Sequence, residues 1–234
     1  MKTQQYTISP SIRDQIGSLL RDHRLTIFAE ILIVLSIFGM KAIGLLPMSK
    51  IPLLLIGTLS LWLRGGGWRQ VGLRRPKSWK RTIIIGAGIA VLDTVFGLVV
   101  LLPLLHRITG EAMDLRLFNG VRGNFKDLLF WLLLSWTYAT IAEEMLYRGY
   151  LLNRLADLFG RNKIGWTLSV ISVSLLFGLV HGSMGITGVL NTFLTGLLYA
   201  VVYLAFRRNL WAPVVVHGVG NTIGFLMLFS GIYP

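Results

Sequence analysis

Apolar runs of about 20 residues recur along this 234-residue chain, at 25–46, 82–105, 164–181, 186–206 and 210–229, and they leave few folds open to it. A run of that length matches the hydrocarbon thickness of a bilayer. In lipid every backbone N–H and C=O must find its partner without water, which a helix does within its own segment. A shorter run at 51–63, helped by Pro47 and Met48, and a long one starting near Leu128 and continuing to about Phe159 complete the series. The chain is 54% hydrophobic with a mean hydropathy of +0.67, too apolar for an ordinary water-soluble domain. The expected fold is all-α: a polytopic membrane helical bundle of about seven transmembrane helices enclosing a polar cavity.

The net charge of +13 invites a nucleic-acid reading, but the basic residues sit in short loops between apolar runs, as topology determinants do. Residues 64–81 alone carry Arg64, Arg69, Arg74, Arg75, Lys77, Lys80 and Arg81, with Trp68 and Trp79 as interfacial anchors. Seven spans with the N-terminus inside place 16 of the 23 Lys and Arg in the N-terminal arm and three cytoplasmic loops. The sequence therefore predicts an integral membrane protein with a cytoplasmic N-terminus, bilayer lipid as its partner and no nucleic acid, and the compact length of the chain suggests a bacterial plasma membrane. Residues 1–24 form a polar arm with a short surface helix near Ile12 to Leu20, and lack the apolar core and small-residue cleavage site of a signal peptide. Residues 25–234 form one transmembrane helical domain. With no cysteine, disulfides, thiolate metal sites and Cys lipidation are excluded.

Ionisable residues inside the spans are the informative exceptions. A charged side chain at a helix centre costs roughly 2.5 to 3.5 kcal/mol on insertion scales, so Glu143, Glu144 and Arg148 in one apolar segment need partners. Glu144 and Arg148 are four apart with the acid first, the favourable order for an intrahelical pair, which leaves Glu143 over. Glu30 and Lys41 lie near span ends and are read as snorkelling interfacial residues; Asp93 is read as protonated or hydrogen-bonded to a neighbouring helix. Phe177-x-x-x-His181 and His217-x-x-x-Asn221 add two histidines and an amide at helical spacing. Glu143 and His181 are each 19 residues from Asn162, the centre of the turn between their spans, so a helical hairpin brings them to one height.

Together, Glu143-Glu144-x-x-x-Arg148, Phe177-x-x-x-His181 and His217-x-x-x-Asn221, in that order on three spans, resemble the CAAX protease and bacteriocin-processing family of intramembrane proteases. The stretch Trp68-x-x-Val71-Gly72-Leu73-x-x-Pro76 resembles a connector common in that family. The resemblance covers about 128–225, the expected catalytic core, and implies the type II CAAX prenyl endopeptidase architecture, with the catalytic residues in a membrane cavity. Carried over, Glu143 is the general base for water and His181 orients it or shares its proton. His217 and Asn221 stabilise the oxyanion, and Glu144 and Arg148 shape the site. A carboxylate in a low-dielectric cavity is a competent base for water, and an Asn amide and a His N–H are the donor types of an oxyanion hole. No cofactor is favoured. If zinc takes part, Glu143, His181 and His217 would hold it, although the His-Glu-x-x-His signature is absent.

The leading expectation is thus a glutamate-dependent or metal-dependent intramembrane peptidase. It would cut membrane-associated peptides or lipidated proteins, prenylated or of bacteriocin type, in a cavity facing the cytosol. A non-catalytic binding or immunity protein using the same pocket is the alternative from a second class. A proton-coupled transporter relaying through Asp93 and the glutamates is a third.

Overall fold

The computed structural model describes residues 11–232, and among them the regular structure is helical throughout with no strand. Helix α1, Ile12–Asp22, is amphipathic and starts on Ser11, whose side chain accepts the Asp14 N–H. The apolar helices α2, Arg24–Ala42, and α3, Lys50–Leu63, form a hairpin. The first span ends at Ala42, short of the expected 46, because Gly44 turns the chain in the left-handed region. Helix α4, Trp79–Thr109, is longer than the expected 82–105 and starts on a Ser78 cap.

Helix α5 spans 125–159, capped by Asn124, and contains two wider π-helical stretches, Ser135–Ile141 and Glu144–Leu151. Helix α6, Lys163–Leu179, begins on Asn162, whose Oδ1 accepts the Gly165 N–H at 2.8 Å. Helices α7, Gly185–Ala205, and α8, Trp211–Ser230, complete the bundle. Four helical stretches are long and apolar enough to cross a membrane: α2, α4, α7 with the turn before it, and α8. Helices α3 and α6 are shorter apolar helices, and the apolar run of α5 is interrupted by its charged pair. The all-helical membrane bundle is as expected; among the described residues four stretches have the length and composition to cross, against the seven or so anticipated.

The bundle has two chemically distinct ends. At one, α1, the end of α3, the loop 64–78 and the turns 160–162 and 206–210 interlock. Arg13 donates to the Trp62 carbonyl and Arg21 to that of Arg64, each at 2.9 Å. The Leu210 N–H donates to the Gly72 carbonyl at 3.0 Å, and the Asn209 amide to that of Arg74 at 2.9 Å. Gly72 cannot be replaced without strain: its φ is +112°, and a Cβ there would lie 2.3 Å from the Arg208 carbonyl oxygen. This is the basic end. At the other end, the segment 110–124, with a 3₁₀ turn over Arg116–Val121, meets the turn 180–184 and the end of α8. There the Asp114 N–H donates to the Met184 carbonyl and the Gly123 N–H to that of Phe229, both at 3.0 Å, and the hydroxyls of Thr109 and Thr187 are 2.6 Å apart.

Two expectations about charged residues fail because tertiary partners take them inward. Glu30 is not interfacial: it is 7% exposed, accepts from the Tyr150 hydroxyl at 2.5 Å and is paired with the buried Arg154. Lys41 does not snorkel to solvent but is half-buried, its Nζ 3.4 Å from the Val180 carbonyl. Between the ends, Leu146, Tyr147, Tyr150, Leu151, Tyr203 and Leu210 pack as a fully buried core.

Candidate functional site

The site draws side chains from α2 to α8 and from the turn after α6. Glu143 lies on α5 between its two π-helical stretches, irregularities that widen the helix and occur often at functional sites. Its neighbour Glu144 begins the second stretch, and the two carboxylates have unlike surroundings. Glu144 is fully buried, and its Oε1 accepts from Arg148 Nη1 at 3.1 Å and from His217 Nδ1 at 2.9 Å. Arg148 is also fully buried, donates to the Gly196 carbonyl of α7 at 3.0 Å, and lies over the Phe177 ring, 4.5 Å from its centroid. Glu144 and Arg148 therefore tie α5 to α7 and α8 from behind the site.

Glu143 faces a cavity of about 700 Å³, lined also by His181, His217 and Asn221. The structure thus gathers four of the six residues expected at the site on one surface and sets Glu144 and Arg148 behind it. The Oε2 of Glu143 is 4.0 Å from His217 Nε2, too far for a direct hydrogen bond and close enough for one water to touch both. His181 falls just past the end of α6 rather than inside it, its Nδ1 2.7 Å from the Phe177 carbonyl oxygen. Glu143 and His181 share the cavity without a hydrogen bond or ion pair between them among the described residues.

Hydrogen-bond logic fixes both imidazoles. A carbonyl and a carboxylate only accept, so Nδ1 carries the hydrogen in His181 and in His217, and each ring leaves Nε2 as its remaining site. The His217 ring is held flat against Tyr199, centroids 4.8 Å apart at 25°. Asn221, one turn on, donates to Ser135 Oγ at 3.0 Å, which orients its amide and leaves a second N–H for the cavity. Gly218, beside His217, makes room for Trp136, whose ring would lie 2.4 Å from a Cβ there.

Sequence reasoning missed Lys50. Its Nζ is 2.5 Å from Glu143 Oε1 and 4.4 Å from the centre of the Tyr138 ring, so the carboxylate left over by the Glu144–Arg148 pair has its counter-ion on α3. Lys50 opens a helix after the mostly apolar turn 43–49, and nothing local distinguishes it from an interfacial lysine. Lys41 and Asp93 also line the cavity; the Asp93 side chain makes no hydrogen bond or ion pair with another described residue, so of the two states expected for it the neighbour-helix hydrogen bond is not found.

Zinc would draw on Glu143, His181 and His217, whose atom types suit it. The described residues do not gather three His, Asp or Glu side chains closely enough to hold a metal ion, and the Lys50 ammonium takes the place beside Glu143. The arrangement does not fit a zinc site.

Residues 125–223 match the family model described as Type II CAAX prenyl endopeptidase Rce1-like, a span that contains all six site residues expected from sequence. No curated protein and no solved structure matches the chain.

Proposed function

We propose, from the membership of residues 125–223 in the type II CAAX prenyl endopeptidase Rce1-like family, that this membrane protein is an endopeptidase that hydrolyses a peptide bond of a membrane-associated protein or peptide with a glutamate-activated water. The observation that carries the reading is the pairing of an ionisable carboxylate with two oriented imidazoles and an amide on one cavity wall.

In this mechanism Glu143 takes a proton from a water bound at its cavity-facing oxygen, and the water oxygen adds to the scissile carbonyl. His181 accepts the second hydrogen bond of that water and aims it. The free N–H of Asn221 donates to the oxyanion. With Nδ1–H given to Glu144, His217 donates through Nε2 only when it carries both ring protons. The same ring can thus take up a proton and present it to the oxyanion or to the departing amine. Lys50 keeps Glu143 charged and fixes one of its oxygens, leaving the other for the water.

The test needs no known substrate. Membrane proteins of cells making the wild type or Glu143→Gln are compared for new peptide termini by mass spectrometry. Termini seen only with the wild type, and carrying one ¹⁸O in the new carboxyl after growth in H₂¹⁸O, are the expected result. Identical termini in both, at equal folded levels, would overturn the reading.

A further inference from the structure

The cavity belongs to one end of the bundle, and it is the end away from the basic loops. Most of the lining fits this, and His217, Leu198 and Tyr199 line the floor, nearer the basic end. On α4 they run from Asp93 to Leu102, on α8 from His217 to Leu228, and on α5 from Trp131 to Glu143; the α2–α3 hairpin contributes Lys41 and Lys50 from its far ends. The rim comes from the segments beyond the helices, with Met113, Leu115, Leu117 and Phe118 before α5 and Ser183 and Met184 before α7. The loop 64–78 and the turns 160–162 and 206–210 contribute no lining residue.

Toward the basic end the way is closed. Tyr147, Tyr150, Leu151, Tyr203 and Leu210 are 0–2% exposed and stand between the glutamates and that surface. Polar groups tie this layer down. The Tyr203 hydroxyl donates to the Val71 carbonyl and accepts from the Asn153 amide, both at 2.8 Å, and Arg74 donates to the Arg207 carbonyl at 2.9 Å. A peptide reaching Glu143 from that side would have to unpack the core of the molecule.

The charge asymmetry orients the bundle. Among the described residues Arg64, Arg69, Arg74, Arg75, Lys77, Lys80, Arg81, Arg161, Lys163, Arg207 and Arg208 crowd the closed end, while the cavity end holds Arg107, Arg116, Arg122 and Lys126 around its long loop, and Lys41 and Lys50, which line the cavity itself. Lys and Arg in short loops mark the cytoplasmic side. The expectation of a cytosol-facing cavity assumed that the site opens where the basic loops are, and the fold separates the two.

We infer that the cavity is entered from the extracytoplasmic side of the membrane, and that the substrate presents its scissile bond there. It would be the outer juxtamembrane stretch of a membrane protein or an exported, membrane-bound peptide, rather than the cytosolic tail of a lipidated protein. The rim agrees with a substrate delivered by the bilayer. Leu117 is 70% exposed, and with Met113, Leu115, Phe118, Met184 and Leu228 it forms an apolar lip leading to a polar floor. That the entering chain is cut rests on the peptidase reading above; the side of entry does not.

Because the chain has no cysteine, single-cysteine labelling reads the side directly. Leu117→Cys at the rim and Lys77→Cys in the basic loop change exposed residues and spare the core. Intact cells making each full-length variant are treated with a membrane-impermeant maleimide, then again after permeabilisation. The inference expects Leu117→Cys to label in intact cells and Lys77→Cys only after permeabilisation. Labelling of Lys77→Cys in intact cells, or of Leu117→Cys only after permeabilisation, overturns it. Labelling does not depend on turnover, so a wrong-sided result leaves the peptidase reading standing, and an inactive but outward-labelled chain defeats the peptidase reading alone.

Discussion

Glu143 and Glu144 are adjacent, identical in chemistry and both buried, yet the fold puts them to opposite uses. Glu144 spends its Oε1 on Arg148 and His217 and contributes no lining to the cavity, so it acts as a fixed anion around which α5, α7 and α8 are assembled. Glu143 has one mobile partner, Lys50, and an oxygen directed toward the open space between it and His217. A buried charge paired with its counter-ion behind the cavity is structure, even with Glu144 Oε2 and Arg148 Nε left without partners, and a buried charge with a free face in a cavity is a candidate for chemistry.

The contrast can be broken in four places. The largest effect is expected at Glu143→Gln, which keeps size and hydrogen bonding but removes the base. Peptide cleavage should fall on the order of 10²- to 10⁴-fold with no drop in Tm, checked by cleavage rate and thermal unfolding of the purified protein. Next comes Arg148→Met, which strands Glu144 as an unpaired buried charge. It should cost roughly 3–5 kcal/mol of stability, read from the unfolding midpoint, with activity lost as a consequence of misassembly.

Asn221→Ala removes an oxyanion donor at the cavity edge and should lower kcat about 10²- to 10³-fold with Tm little changed, separating chemistry from stability in the same way as Glu143→Gln. The smallest effect is expected from Lys50→Met, and it sharpens the comparison through a double-mutant cycle. Its cost in the wild type should largely vanish in a Glu143→Gln background, giving a coupling of about 0.5–3 kcal/mol, whereas no coupling to Glu144→Gln is expected.

Much of this was legible in the sequence, for identifiable reasons. Helix positions followed from apolar run length, because backbone satisfaction in lipid is a local constraint, whereas the Ser78 and Asn124 caps start α4 and α5 three residues before the expected 82 and 128. The equal spacing of Glu143 and His181 about Asn162 foretold that both would reach one cavity, since helical rise converts residue count to height. What was not legible depends on which helices become neighbours. Glu30 meets Arg154 across 124 residues and Lys50 meets Glu143 across 93, and no periodicity encodes such pairs. The end at which the cavity opens was hidden for the same reason, because it depends on where the buried tyrosines of α5 and α7 close the bundle.

The most direct test of the central contrast is a side-by-side measurement of new peptide termini and unfolding midpoint for purified Glu143→Gln in lipid bilayers with membrane proteins as substrate. The account predicts an intact protein that generates no termini beyond background. A Glu143→Gln protein that unfolds like the wild type and still produces the wild-type termini would contradict it.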